Sequence, residues 1–187
     1  ETLLPHADNP KLYKKAYGDI AGCNPMWNEL PAPAGTCFEW DAHSTYIQEP
    51  PFFKEFSGTP QNPQDITNAR VLGFFGDFIT TDHISPAGSI PAGSPAEKFL
   101  FAKNVTRDLF NSFGSRRGNH EVMMRGTFGN IRIRNRLAAR EGGFTCHLPD
   151  GAEMSIYDAA MRYIDDGQSL IILAGKMYGA GSSRDWA

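Results

Sequence analysis

Residues 169–187 read SLIILAGKMYGAGSSRDWA. Ser169 to Ala174 is a short apolar run of the length and composition of a strand covered on both faces. Gly175, Gly179 and Gly181 follow, where the chain is free to bend and its backbone to approach a ligand. Ser182, Ser183 and Arg184 then open what reads as a new helix. Working back from this stretch, Ser155 caps a helix with Asp158 three residues on, and Gly167 ends it. Tyr157, Ala160, Met161 and Ile164 recur at helical spacing and form its expected apolar face. Further upstream, Val71 to Ile79 (VLGFFGDFI) reads as a buried strand interrupted by a turn. A strand, a helix, a strand and a fresh helix start predict an α/β layered domain.

The remaining elements are shorter. Ser94-Pro95-Ala96-Glu97 is a capping box with proline at the first helical position, and Ala96, Phe99 and Leu100 share one face of the helix it opens. Asn130 to Arg136 (NIRIRNR) alternates, which predicts a half-buried strand with Ile131 and Ile133 on one face and Arg132 and Arg134 on the other. Residues 1–65 look irregular. Asn9 and Pro10 start a short helix to Tyr17, after which Pro25, Pro31, Pro33, Pro50, Pro51, Pro60 and Pro63 break up any long element. We expect this N-terminal segment to be an extension that wraps a neighbouring domain, and the compact domain to span 66–187.

Composition sets the outer limits. The chain has 187 residues, 41% hydrophobic and 21% charged, which excludes a disordered tail, a collagen-like repeat and a coiled coil. No apolar run approaches the ~20 residues needed to span a bilayer, so no membrane partner is expected. Glu1 to Ala7 lacks a secretory pattern. Cys23, Cys37 and Cys146 form no C-x-x-C pair, and a reducing, cytoplasmic compartment is expected. The chain starts at Glu1 and stops within a few residues of the expected helix start, so we expect a piece of a longer polypeptide.

Charge is uneven. Lys103 to Arg140 holds nine basic residues, eight of them arginine, against Asp108 and Glu121, hence +7 in a chain of net charge -3. Arginine grips carboxylate and phosphate in a planar fork, so the stretch reads either as a polyanion pocket or as solvated faces paired to acids elsewhere.

Sharper motifs sit at three places. Tyr178 to Asp185 (YGAGSSRD) follows a strand. It reads as a carboxylate or phosphate cradle with Arg184 as fixed cation, or as a structural glycine turn with a serine cap. A serine in such a cradle becomes a base only if its surroundings stabilise the alkoxide. Thr80 to Gly88 (TTDHISPAG) lies past a strand end, where α/β sheets place ligands; Asp82 and His83 there orient each other or an arginine, or build a structural turn. Phe113 to His120 (FGSRRGNH) sets Arg116 and Arg117 side by side, a ligand contact or a surface turn paired to acids.

TTDHISPAGSI, NSFGSRRGNHEVMMRGTFGNIRIRN and YGAGSSRDWA, taken together, resemble the aconitase family, in the branch shared by bacterial aconitase and the cytosolic aconitase/iron regulatory protein. The resemblance covers 66–187 in order, and 1–65 more loosely. It implies a swivelling β/β/α domain, truncated at its C-terminus, that closes over a site built by preceding domains. It implies isomerisation of citrate and isocitrate through cis-aconitate, a lyase reaction of the tricarboxylic acid cycle. By the resemblance Ser182 is the base, Ser183, Arg184 and Arg117 hold substrate carboxylates, and Asp82 is an active-site aspartate, with His83 and Arg116 as possible support. The family's [4Fe–4S] cluster is held by cysteines of another domain in a pattern absent here. We therefore expect the three cysteines to be ordinary buried thiols, with no cluster and no turnover in this chain alone.

Two other classes stay open at this level. The small subunit of isopropylmalate isomerase carries the same domain as a separate chain, although TTDHISPAG, the double arginine and the long N-terminal segment fit aconitase better. A 2-methylcitrate dehydratase relative fits GSRRGNH poorly. RNA binding, as in iron regulatory protein, is compatible with the +7 stretch, but the chain as a whole is acidic and shows no stacking aromatics between basic residues.

Overall fold

The computed structural model describes residues 3–32, 34–54, 56–60 and 62–184, and its contacts divide the chain into two units, Glu1–Glu39 and Trp40–Ala187. The first unit holds three short helices, α1 (Leu4–Ala7), α2 (Pro10–Tyr17) and α3 (Pro25–Asn28), none with a buried residue. The helix expected from Asn9 is α2: the Asn9 side chain accepts the Lys11 N–H at 3.1 Å, and proline takes the first helical position, which needs no N–H.

The second unit runs β1 (Arg70–Phe74), α4 (Thr81–Ile84), α5 (Pro95–Ala102), α6 (His120–Met124), β2 (Phe144–His147), β3 (Ala152–Ser155), α7 (Ile156–Asp165) and β4 (Leu170–Leu173). It is an α/β arrangement around two small sheets. β1 pairs in parallel with β4, Arg70 opposite Leu170 and Phe74 opposite Leu173, with a register irregularity between Val71 and Gly73. β2 and β3 form an antiparallel hairpin. Leu72, Phe75, Ile79, Ile133, Ile156 and Tyr163 belong to one buried cluster. A second cluster forms around α5 and α6, with Ala96, Leu100, Phe113 and Val122 inside it.

The capping signals act as read. Ser94 accepts the Glu97 N–H at 3.2 Å, while Glu97 reaches back to the Gly93 N–H, one residue short of the usual reciprocal partner. Ser155 accepts the Asp158 N–H at 3.0 Å. Past α7, Gly167 takes φ 68°, and the Gln168 N–H reaches back to the Tyr163 carbonyl at 2.8 Å.

The structure differs from expectation at three places, each for a polar reason or for lack of a covering layer. First, Asn130–Arg136 is not a strand. The Asn130 side chain takes the Arg132 N–H at 2.8 Å and turns the chain, leaving Ile131 79% exposed and Ile133 buried. Beyond it, the Asn135 side chain does the work of a ladder. It accepts the Phe74 N–H at 2.9 Å and donates to the Phe144 carbonyl at 3.0 Å, tying β1 to β2. Second, α7 turns a neighbouring stripe inward: Ile156, Ala159 and Tyr163 are buried and Ile164 is exposed. Tyr163 wins because its hydroxyl accepts the Leu148 N–H at 2.8 Å while its ring packs on His147 at 4.5 Å. Third, β4 is covered on one face only: Leu170 and Ile172 pack on the core, while Ile171 and Leu173 are 43% and 42% exposed.

Two outcomes follow for stability. Asn135→Leu leaves the part-buried Phe74 N–H and Phe144 carbonyl without their partner, and destabilises by about 2 kcal/mol in chemical denaturation; a loss below about 0.5 kcal/mol would contradict the bridging role. In the β2–β3 turn, His147 at 2.8 Å, the Ala152 N–H at 3.1 Å and Arg162 at 2.6 Å hold the Asp150 carboxyl well below the usual carboxylate range. Its stabilisation is present above its unfolded value of about 4 and fades as pH falls toward the lowered native value. Asp150→Asn removes that part of the acid sensitivity, read as the denaturation midpoint between neutral and acid pH.

Candidate active site

Parallel strands leave a sheet at the same edge, so the segments after β1 and β4 run on side by side. Backbone bonds join them in sequence: Gly175 N–H to the Gly76 carbonyl at 3.0 Å, Phe78 N–H to Lys176 at 2.8 Å, Gly179 N–H to Ile79 at 2.7 Å and Thr81 N–H to Ala180 at 3.1 Å. Gly175 is required here, because a Cβ would stand 1.9 Å from Asp77 Oδ1. Phe78, Met177 and Arg184 adopt left-handed backbone (φ 59°, 60° and 47°), a local concentration of strain of the kind found at functional sites.

This weave brings α4 against the 179–184 bend. Arg184 Nε donates to Asp82 Oδ1 at 3.0 Å and Nη2 donates to the same oxygen, across 102 residues of sequence. The Asp82 side chain is 64% exposed and that of Arg184 35%, so the pair lies at the surface. Ser182 and Ser183 are exposed beside it. Among the described residues no helix follows Gly181: the helix start expected at Ser182, Ser183 and Arg184 is not formed there, and Arg184 takes left-handed backbone instead; residues 185–187 lie outside the described residues.

His83 has a structural task. Its Nδ1 accepts the Thr80 N–H at 3.1 Å and lies 3.0 Å from Thr80 Oγ1, filling the place a glutamate takes in a capping box. Accepting at Nδ1 places the proton of the neutral ring on Nε2. Thr81, which no motif singled out for a role, is buried at 6% exposure against the same bend. A threonine in a turn carries no sequence signal of such a position.

Arg116 and Arg117 part ways. Arg116 is 0% exposed. Its Nε donates to the Phe110 carbonyl at 2.8 Å, Nη2 to Leu109 at 2.8 Å, and Nη1 to Thr45 at 2.7 Å, with the guanidinium 4.0 Å from the centre of the Tyr46 ring. Burial lowers its pKa. Arg116 therefore anchors the 45–46 segment, and none of its surface is open to a ligand. Arg117 is exposed at the end of the Gly114–Arg116 turn. It does not line the open cavity of about 680 Å³ that Asp82 borders together with Pro86, Phe113, Arg132 and Tyr157. The rest of the basic stretch is largely paired: Arg107 with Glu97, Arg125 with Glu121, Arg134 with Glu141, and Arg140 with Glu153.

Among the described residues no group of three His, Cys, Asp or Glu side chains is placed to hold an ion. Cys23 and Cys37 are exposed rather than buried, in a unit whose helices bury nothing, and Cys146 is half-buried on β2. Arg116→Lys removes the fork that reaches three carbonyls at once and lowers stability by about 2 kcal/mol, read from the denaturation midpoint.

Residues 96–187 match the family described as Aconitase C-terminal domain. The chain is 53% identical over 186 residues to aconitate hydratase A of Bacillus subtilis, covering 99% of this chain and 20% of that protein. It is 55% identical over 177 residues to the protein of that name from Legionella pneumophila, covering 94% of this chain and 20% of the relative. With the Thermus thermophilus aconitate hydratase A it shares 53% identity over 180 residues, 96% of this chain and 20% of the relative. The chain thus spans about a fifth of the length of the curated relatives it matches. The match of residues 96–187 to the C-terminal domain, and an identity of one half along nearly its whole length, place this chain in the aconitase family.

Proposed function

We propose that residues 66–187 are the swivel-domain part of an aconitate hydratase, with 1–65 as the connecting extension. The parent enzyme isomerises citrate and isocitrate through cis-aconitate. The observation that carries this reading is the Asp82–Arg184 ion pair beside exposed Ser182, on the two loops that leave β1 and β4. Arg184 presents a fixed cation to a carboxylate of a tricarboxylic acid, and Ser183 and Arg117 add further contacts. Ser182 Oγ, in its alkoxide form, takes the proton from the carbon beside a carboxylate and becomes a hydroxyl; the C–H electron pair forms the double bond as the C–O bond breaks, and the hydroxyl leaves as hydroxide, whose charge the parent enzyme's cluster would take up as a Lewis acid. Asp82 orients Arg184.

The resemblance to aconitases implies a [4Fe–4S] cluster held by cysteines of another domain, which makes the remaining domains the principal partners of this chain; the cluster would act there as a Lewis acid on the substrate hydroxyl. A reducing cytoplasmic setting suits the three free cysteines. The arginines paired to acids leave less of the +7 stretch for RNA phosphates, and the match to relatives about five times longer favours aconitase over a separate small subunit.

In the full-length protein that carries this chain, Ser182→Ala lowers kcat for cis-aconitate formation by about 10³-fold with KM little changed. The purified 187-residue chain, assayed as a control, turns over nothing. A variant within about 10-fold of the parent rate would remove Ser182 from the role of base.

A further inference from the structure

The polar side chains of the first turn of α4 and its cap are accounted for, except one. Thr80 and His83 bond each other, and Asp82 is taken by Arg184. Thr81 Oγ1 is buried and has no hydrogen-bond partner among the described residues. The Thr81 N–H already ties α4 to the Ala180 carbonyl at 3.1 Å, so the hydroxyl is not needed to hold the two segments together. It faces the bend itself: a methyl placed on Gly181 would stand 3.1 Å from Thr81 Oγ1. Gly181, at φ 121°, directly precedes Ser182.

A buried hydroxyl without a partner is a standing penalty on the resting fold, and valine would fill the same space without it. Retaining threonine makes sense if another state of the site uses the donor. We infer that Thr81 is a positioning residue for Ser182: its hydroxyl donates to the oxygen that becomes negative at the 181–182 bend, and fixes that oxygen toward the substrate. The inference rests on Ser182 being the base. Thr81 keeps its own proton throughout and acts as a preorganised donor from a buried position. The ionic groups beside it are Asp82 and His83 on α4 and Arg184 on the bend.

The test compares Thr81→Val, Thr81→Ser and Ser182→Ala in the full-length, cluster-loaded protein. Thr81→Val lowers kcat by about 100-fold with KM for isocitrate unchanged. It moves the acidic limb of the pH–kcat profile, where the base must lose its proton, to higher pH and leaves the affinity for a non-reacting tricarboxylate, measured by calorimetry, as it was. Its thermal midpoint stays level or rises, because the removed hydroxyl stabilised nothing at rest. Thr81→Ser restores rate and profile. A thermal midpoint that falls together with the rate would make the hydroxyl structural and overturn the inference, as would an unchanged kcat or pH profile. If Ser182→Ala stays active, the base assignment itself fails; if Ser182→Ala is inactive while Thr81→Val is normal, only the role of Thr81 fails.

Discussion

The parallel pairing of β1 with β4 decides where everything else goes. A parallel neighbour cannot arrive by a tight turn; the chain must cross over through a long connection, and the 95 residues between Phe74 and Leu170 supply it. Both strands then leave the sheet in the same direction, and Asp82 and Arg184 meet although 102 positions separate them. The backbone bonds between 76–81 and 175–180 continue the pairing beyond the strands, so the site is built on an extension of the sheet rather than on loose loops. Open α/β sheets place ligands at such carboxyl ends.

Polar side chains do much of the joining that backbone ladders do in larger sheets. Asn135 and Thr145 connect β1 to β2, the latter through its hydroxyl to the Leu72 carbonyl at 2.7 Å. Arg116 and Asn119 hold Thr45 from the other cluster. A buried guanidinium is expensive to desolvate, and here carbonyl oxygens and the Tyr46 ring compensate for water in place of a carboxylate. The consequence is that a basic residue of the FGSRRGNH motif organises the fold while its neighbour stays at the surface.

Local chemistry was legible where one residue decides the backbone by itself. The caps at Asn9, Ser94 and Ser155, the left-handed Gly167 and the strand before the glycine bend could be read directly. What escaped depended on competition between partners distant in sequence. The alternation of NIRIRNR carries a strand signal, but two asparagine side chains offered the backbone better bonds. The inward stripe of α7 turned on what Tyr163 finds at His147 and Leu148. For the +7 stretch the sequence left a polyanion pocket and acid-paired faces both open, and Glu97, Glu141 and Glu153, all outside it, reach back to it. The candidate site was partly legible: the motifs named Asp82 and Arg184, but only the strand pairing could show that they touch, and nothing in the sequence marked Thr81.

The Asp82–Arg184 contact raises the question whether an internal carboxylate blocks the arginine it holds. The geometry answers it. Nε and Nη2 both point to a single oxygen, so Asp82 occupies the side edge of the guanidinium. The far edge, formed by Nη1 and the outer hydrogen of Nη2, has no protein partner among the described residues. A guanidinium has five donors in one rigid plane, and fixing one edge fixes the direction of the other. Asp82 thus restricts the rotamers of a long side chain in advance, which under the proposed function lowers the entropy cost of docking a carboxylate on the free edge. It also tempers the local charge, so that the exposed arginine attracts an anion without repelling the other cations a tricarboxylate requires. An aspartate in the proposed carboxylate site, at first sight a repulsive element, is on these grounds what points the cation outward.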